Sequence, residues 1–245
     1  MKTTTIIAKI GGKILENQDN LDHTLNQFRT LIYDKKVINK LILIPGGGSY
    51  ANFVRILDKK LDIGDNLSHW MAIFAMNSNG GAISQAYREI KSIKEFEMLK
   101  EGKDPISIFL PFDFLFQTDE LPHSWAVSSD SITVYMARKL GLRECFLIKD
   151  VDGILTNNNE VIRELSIQEY IKLKNSNKIE ILKSNREDLK QLSTPIDSFL
   201  PQLINDYGIS CTLLNGRSNT NRIFSYFDGT ISERDKVYTK IQNSS

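Results

Sequence analysis

Thr5-Ile6-Ile7-Ala8-Lys9-Ile10-Gly11-Gly12-Lys13 and Leu41-Ile42-Leu43-Ile44-Pro45-Gly46-Gly47-Gly48-Ser49 each run from a short apolar strand into a glycine cluster. Glycine lets the backbone turn sharply and approach a ligand with no Cβ in the way. In an open α/β sheet, ligands sit beyond the carboxyl ends of the strands. Successive backbone N–H groups there form an anion-binding nest, above all where a helix begins. Two such loops on neighbouring strands predict a site that grips phosphate from two sides, with Lys9 supplying positive charge. Either cluster alone also reads as a tight strand-to-helix turn. Neither follows the Walker pattern or the three-glycine dinucleotide fingerprint, so the loops specify phosphate and leave the fold family open.

The elements around these loops alternate between strand and helix, the pattern of an α/β sheet with parallel pairs. Strands are expected at Thr4 to Ile10, Lys40 to Ile44, Ile106 to Leu110, Arg143 to Lys149 and Ile209 to Leu214, with Val237 to Ile241 as an edge strand. Helices are expected from about Asn20 to Tyr33, after the second glycine cluster, from Asp65 or Asn66 (either as cap) to about Ile90, and from Ser129 or Asp130 to Leu140, with Gly141 as the stop. Gly80-Gly81 inside the long helix marks close packing or a break. Residues 175–191, polar and rich in Lys, Asn and Ser, read as a surface excursion.

Composition bounds the function. At 245 residues the chain suits one large domain or two fused lobes, and a net charge of +1 argues against a broad nucleic-acid or membrane surface. No apolar run reaches the length of a membrane span. The N-terminus enters a strand at once, leaving no room for a signal peptide, so a cytoplasmic protein is expected. Cys145 and Cys211 lie in apolar runs and read as reduced, buried strand residues. Two cysteines and three scattered histidines make no metal-ligand spacing. The first helix and the long apolar helix carry more hydrophobic surface than one small lobe needs, which predicts a homo-oligomer, a dimer or larger.

Two further segments complete the pattern: Ser128-Ser129-Asp130-Ser131 at a helix start, and Lys149-Asp150-Val151-Asp152-Gly153-Ile154 after a strong strand. Alone, the first reads as a cap and the second as a turn. Their order, after Lys-x-Gly-Gly and Gly-Gly-Gly, resembles the amino acid kinase family across almost the whole chain. That resemblance implies one domain over 1–245, a three-layer α/β/α sandwich with a mainly parallel central sheet, an acceptor lobe over about 1–125 and a nucleotide lobe over about 126–245. It implies phosphoryl transfer from ATP, with Mg²⁺ carried on the ATP phosphates. Leu67-Ser68-His69, His123 to Ser131, Ile196 to Pro201 and Leu214-Asn215-Gly216 resemble one archaeal branch of the family, the [5-(aminomethyl)furan-3-yl]methyl phosphate kinases, which add a second phosphate to a furan phosphate.

Roles follow from the matching positions. Lys9 is expected to neutralise the transferred phosphoryl group and Asp130 to orient the lysines. Gly11, Gly12, Gly46, Gly47 and Gly48 present N–H groups to phosphates. Lys149, Asp150, Asp152 and Gly153 form the nucleotide side, with Asn215 and Gly216 closing a pocket or forming a plain turn. Arg55 and His69 are candidates for the acceptor's phosphate and amine, His69 equally for a packed helix residue. Trp125 stacks on the acceptor ring or fills the lobe junction. The chain departs from the family twice. Lys13 stands where many members have Ser, and no lysine occurs near Thr194 to Phe199, where many relatives place a second catalytic one. Lys149 and Lys13 are the substitutes. Two other readings remain: a carboxylate kinase forming an acyl phosphate, and a non-catalytic nucleotide-binding or storage protein. The branch-like segments argue against the first, and Lys9 with Asp130 against the second.

Overall fold

Runs of four or more apolar residues buried on both faces belong to parallel strands covered by helices. The computed structural model, which describes residues 4–179, 182–183, 192–193 and 195–243, follows that rule. In chain order the elements are β1 (Thr5–Ile10), α1 (Gly12–Leu15), α2 (Gln18–Arg29, continued by a π-helical turn), β2 (Lys40–Pro45), α3 (Gly48–Leu61), α4 (Asp65–Ala86), β3 (Lys91–Ile93), α5 (Phe96–Glu101) and β4 (Ile106–Phe109). They continue with α6 (Phe112–Thr118), α7 (Ser129–Lys139), β5 (Glu144–Lys149), β6 (Ile154–Leu155), β7 (Val161–Ile162), β8 (Glu164–Ser166) and α8 (Ile167–Asn175). Last come β9 (Leu182–Lys183), β10 (Leu192–Ser193), α9 (Leu200–Tyr207), β11 (Ser210–Asn215), α10 (Arg222–Phe227) and β12 (Thr239–Gln242).

One eight-stranded sheet runs in the order β3-β4-β2-β1-β5-β11-β12-β8. Every neighbouring pair is parallel except β11 with β12. Helices cover both faces, giving the three-layer, mainly parallel architecture expected. β12 is not the edge strand that its position near the chain end suggested. It lies between β11 and β8, because the short strand Glu164–Ser166 pairs outside it. The polar segment over 175–191 lies in large part outside the described residues.

Strand side chains alternate between faces, and the two cores separate accordingly. Ile7, Cys145, Leu147, Cys211 and Leu213 pack on the side of α7 and α9, whereas Ile6, Ala8, Ile10, Phe146, Ile148 and Leu214 pack on the side of α2. Cys145 and Cys211 are buried free thiols, paired in register on adjacent strands. All five apolar residues expected on the first helical face, Leu21, Leu25, Phe28, Leu31 and Ile32, are buried in this second core. The apolar stripe of that helix is therefore spent on the core and, Tyr33 at its end apart, is not offered to a partner, contrary to the expectation. Several exposed apolar side chains stand together elsewhere: Tyr50 and Phe53 on α3, Leu67 and Phe74 on α4, and Phe116 on α6.

α4 is shorter than expected and is preceded by Gly64 at φ +85°, with neither Asp65 nor Asn66 capping it. Gly80 meets Leu110 and Pro45 so closely that a Cβ would stand 2.5 Å from the Leu110 Cδ2, whereas Gly81 faces open space. The glycine pair therefore marks close packing, not a break. Among the described residues no helix is long and apolar enough to cross a membrane.

Candidate active site

The parity of two strands and the start of one helix assemble the charged centre. Lys9 shares its face with Ile7, and Lys149 shares its face with Leu147, so both side chains point toward α7. The strands are adjacent and parallel, with Lys9 in register with Leu147. Asp130, in the first turn of α7, meets both lysines. Its Oδ1 accepts from Lys9 Nζ and from Lys149 Nζ at 2.8 Å each, and its Oδ2 accepts from Lys149 Nζ at 2.6 Å. Lys9 and Asp130 are almost fully buried, and Lys149 nearly so.

Burial lowers the Lys9 ammonium to about 8, with the Lys149 charge adding to the drop and Asp130 partly offsetting it. Burial acts on Lys149 in the same sense, but its closer embrace of Asp130 prevails and raises it. Asp130 is pushed up by burial and pulled down more strongly by both lysines, to about 2. Two ammoniums thus share one carboxylate in a nearly dry place, so within this triad positive charge is in excess and available to an anion.

Ser128 caps α7, its Oγ accepting from the Asp130 N–H. Asp197 holds that cap. Its Oδ2 accepts from the N–H and Oγ of Ser128 and from the Ser131 N–H, and its Oδ1 accepts from the Ser131 Oγ and from the N–H groups of Phe199 and Leu200. One carboxylate therefore ties together the starts of α7 and α9. Burial first, and then the neighbouring Asp130, raises its pKa. Asp197 lies within the branch-like segment Ile196 to Pro201, and no role was expected of it. Its place just before an apolar helical run is the capping signal that would have found it.

The two glycine loops touch. A Cβ on Gly12 would stand 2.8 Å from the Gly48 Cα, and one on Gly46 would stand 2.8 Å from the Ile10 carbonyl oxygen and 3.1 Å from the Gly12 nitrogen. The Gly46 N–H donates to the Ile10 carbonyl and the Gly11 N–H to the Ile148 carbonyl, so β2, β1 and β5 are laced together at their carboxyl ends. Gly47 and Gly48 begin α3, Gly48 at φ +54°. Glu16 accepts from the Ser49 N–H at that helix start, and Asn79 Nδ2 donates to the Gly46 carbonyl at 2.7 Å.

Lys13 does not reach the Lys9–Asp130–Lys149 cluster. It is largely exposed and pairs with Asp150 Oδ2 at 2.9 Å, with Arg217 farther off at 3.9 Å from the same oxygen. Asp152 Oδ1 accepts from Asn215 Nδ2 at 3.1 Å and from Arg222 Nε at 3.0 Å; Arg222 was not expected. Gly153 adopts φ +147° with its backbone against Thr239, and Gly216 is wedged between Ile148, Ile14 and Thr24, so both glycines serve close packing.

Farther along α3, the Arg55 guanidinium carbon lies 4.6 Å from the centre of the Trp125 ring, and Trp125 Nε1 donates to Asp58 Oδ2 at 2.6 Å. Trp125 is half-buried against α3 and is not a core residue. His69 stacks on His123 with ring centres 4.7 Å apart and meets Trp70 edge-on. Burial, and then His123, holds His69 down to about 4, so it is neutral at pH 7. His123 closes a turn by bonding Asp119 at 2.7 Å.

Among the described residues, no three histidine, cysteine or carboxylate groups gather as a metal cage. The donor set here is one for phosphate: buried ammoniums, glycine N–H groups and loops too tight to admit a Cβ.

The model of the amino acid kinase family matches residues 4–215. The chain is 33% identical over 240 residues to the [5-(aminomethyl)furan-3-yl]methyl phosphate kinase of Methanocaldococcus jannaschii, covering 96% of each. Its fold is similar to that of UMP kinase from Ureaplasma parvum (TM-score 0.65, 17% identity, 99% of this chain and 97% of that one). It is similar as well to uridylate kinase from Archaeoglobus fulgidus (TM-score 0.64, 14% identity, 96% and 99%).

Proposed function

The chain belongs to the amino acid kinase family, and from that premise we propose that it transfers a phosphoryl group from ATP to the phosphate of a small acceptor, [5-(aminomethyl)furan-3-yl]methyl phosphate, to give the diphosphate. The observation that carries the reading is the Lys9–Asp130–Lys149 cluster facing two interlocked glycine loops, in a chain aligned over nearly its full length with a kinase of that acceptor.

A non-bridging oxygen of the acceptor phosphate attacks the γ-phosphorus of ATP. The new P–O bond forms as the β–γ bridging bond breaks, and ADP leaves with the electron pair. In such a transfer the protein's task is positioning and charge stabilisation. Lys9 and Lys149 stabilise the charge spread over the moving group, and Asp130 keeps both ammoniums aimed. Lys149 supplies the cation that many relatives place before the late helix. Gly11 and Gly12, with Asp150, Asp152, Gly153, Asn215 and Gly216, form the ATP side; Gly46, Gly47, Gly48 and Arg55 take the acceptor phosphate. Mg²⁺ carried on the triphosphate supplies further charge neutralisation.

The acceptor half spans about 1–125 and the nucleotide half about 126–245. The kinase works in the cytoplasm, where ATP is made available to it. Copies associate through the apolar face of α3, α4 and α6.

The test is turnover with ATP and an acceptor panel. The furan phosphate is expected to be the preferred substrate, and Arg55→Ala to raise its KM far more than that of ATP, as loss of uniform acceptor binding does. Equal activity on the unphosphorylated alcohol, or transfer only to carboxylates, overturns the reading.

A further inference from the structure

The acceptor proposed above carries an aminomethyl arm, a cation at neutral pH, and the residues assigned so far give that charge no anionic partner. His69 cannot provide one. It is neutral, buried and packed between His123 and Trp70. A carboxylate placed beyond the phosphate site and beside an apolar wall would meet that charge most strongly.

α3 carries one. Gly48, Arg55 and Asp58 lie along one stripe of the helix, at the spacing of two turns and then one more. From Gly48 the axis rises about 10 Å to Arg55 and about 15 Å to Asp58. Helical side chains lean toward the N-terminus, so Arg55 leans back toward the glycine loop. Trp125 is clamped beside the two, its ring under the Arg55 guanidinium and its Nε1 bonded to Asp58 Oδ2. Along α3 the order is therefore N–H groups, cation, indole, carboxylate. A molecule made of a phosphate, an aromatic ring and an ammonium arm presents the complementary order, over a length that this span accommodates. Among the described residues Asp58 Oδ1 accepts no hydrogen bond, which leaves it open to a second donor. Both Arg55 and Asp58 are half-buried, so their charges are only partly screened by water.

We propose that Asp58 recognises the ammonium group of the acceptor, and so determines specificity for amine-bearing substrates. The assignment rests on the acceptor reading above. Its bond to Trp125 has a second consequence, since the carboxylate that meets the ammonium also orients the ring wall beside it.

The experiment compares kcat/KM for [5-(aminomethyl)furan-3-yl]methyl phosphate and for its 5-methyl counterpart, in the native enzyme and in Asp58→Asn. Asparagine keeps an oxygen for Trp125 Nε1 and removes the charge. The native enzyme is expected to prefer the amine about 10- to 100-fold, the range expected for a charge-assisted hydrogen bond. Asp58→Asn is expected to erase that preference through the KM of the amine substrate, leaving the methyl counterpart and the KM of ATP unchanged. A variant that keeps the preference, or loses activity equally on both acceptors, overturns the assignment; the second result reduces Asp58 to a support for Trp125. A native enzyme that uses both acceptors equally also overturns it while leaving the kinase reading intact. A native enzyme that phosphorylates neither removes the acceptor reading and this assignment with it.

Discussion

Lys9 is an ammonium taken out of water and set against one carboxylate and a second ammonium. Two predictions follow from its position. Lys9→Ala is expected to fold, because Asp130 keeps Lys149 as a partner, and to lose about 10²-fold or more in kcat, the scale of a lost transition-state charge partner. Near-native turnover in a folded variant removes Lys9 from the mechanism. The second concerns pH. Lys9 sits at about 8 in the free protein, and its charged form is the useful one, so kcat/KM falls as pH rises through about 8. Bound triphosphate favours the charged form, so the corresponding limb in kcat lies at higher pH. A kcat/KM profile flat through pH 9 contradicts this. Lys9 and Asp130 were legible because each lies in a motif, glycine-flanked in one case and at a helix start in the other. The salt links that give them force were not, since Asp130 and Lys149 are brought together by strand parity and by a helix crossing the sheet. Asp58 and Arg222 had no signal at all, as a lone charged residue on a helix is normally solvated.

Elements were easier to read than their neighbours. Apolar runs located β1, β2, β5 and β11 closely, because strands buried on both faces have no polar alternation to confuse them. Pairing order is a different matter. β12 looks like a last, outer strand, and nothing in Glu164-Leu165-Ser166 announces that it pairs outside β12. The glycine pair of α4 divides in the same way, since both residues cost the helix the same propensity and only packing tells them apart. Gly81→Ala is expected to stabilise the protein by about 0.5–1 kcal/mol, having open space for its methyl group. Gly80→Ala is expected to destabilise by about 1–3 kcal/mol, the usual range for overpacking, because Pro45 and the buried Leu110 stand in the way. Thermal melts of the two variants check this; shifts of the same sign contradict it.

For the molecule as a whole, a group of apolar residues that the core does not use gathers on one face. Tyr50, Phe53, Leu67 and Phe74 border a groove of about 450 Å³ between α3 and α4, and Phe116 stands exposed on α6. Exposed patches of this kind mark contact surfaces. The native protein is expected to sediment as a dimer or larger at micromolar concentration, and Phe74→Glu to shift it toward the monomer. A native monomer overturns the expectation. The composition pointed to surplus apolar surface but assigned part of it to the first helix, whose apolar stripe the sheet covers. The backbone contact between Gly12 and Gly48 also limits how the sequence can be altered. A methyl group on Gly12 runs into the Gly48 backbone and one on Gly46 into the backbone of Ile10 and Gly12, so a side chain added to either loop displaces the other. Arg55 and Asp58, about two and three turns farther along α3, stand clear of that contact and can be exchanged without moving either loop.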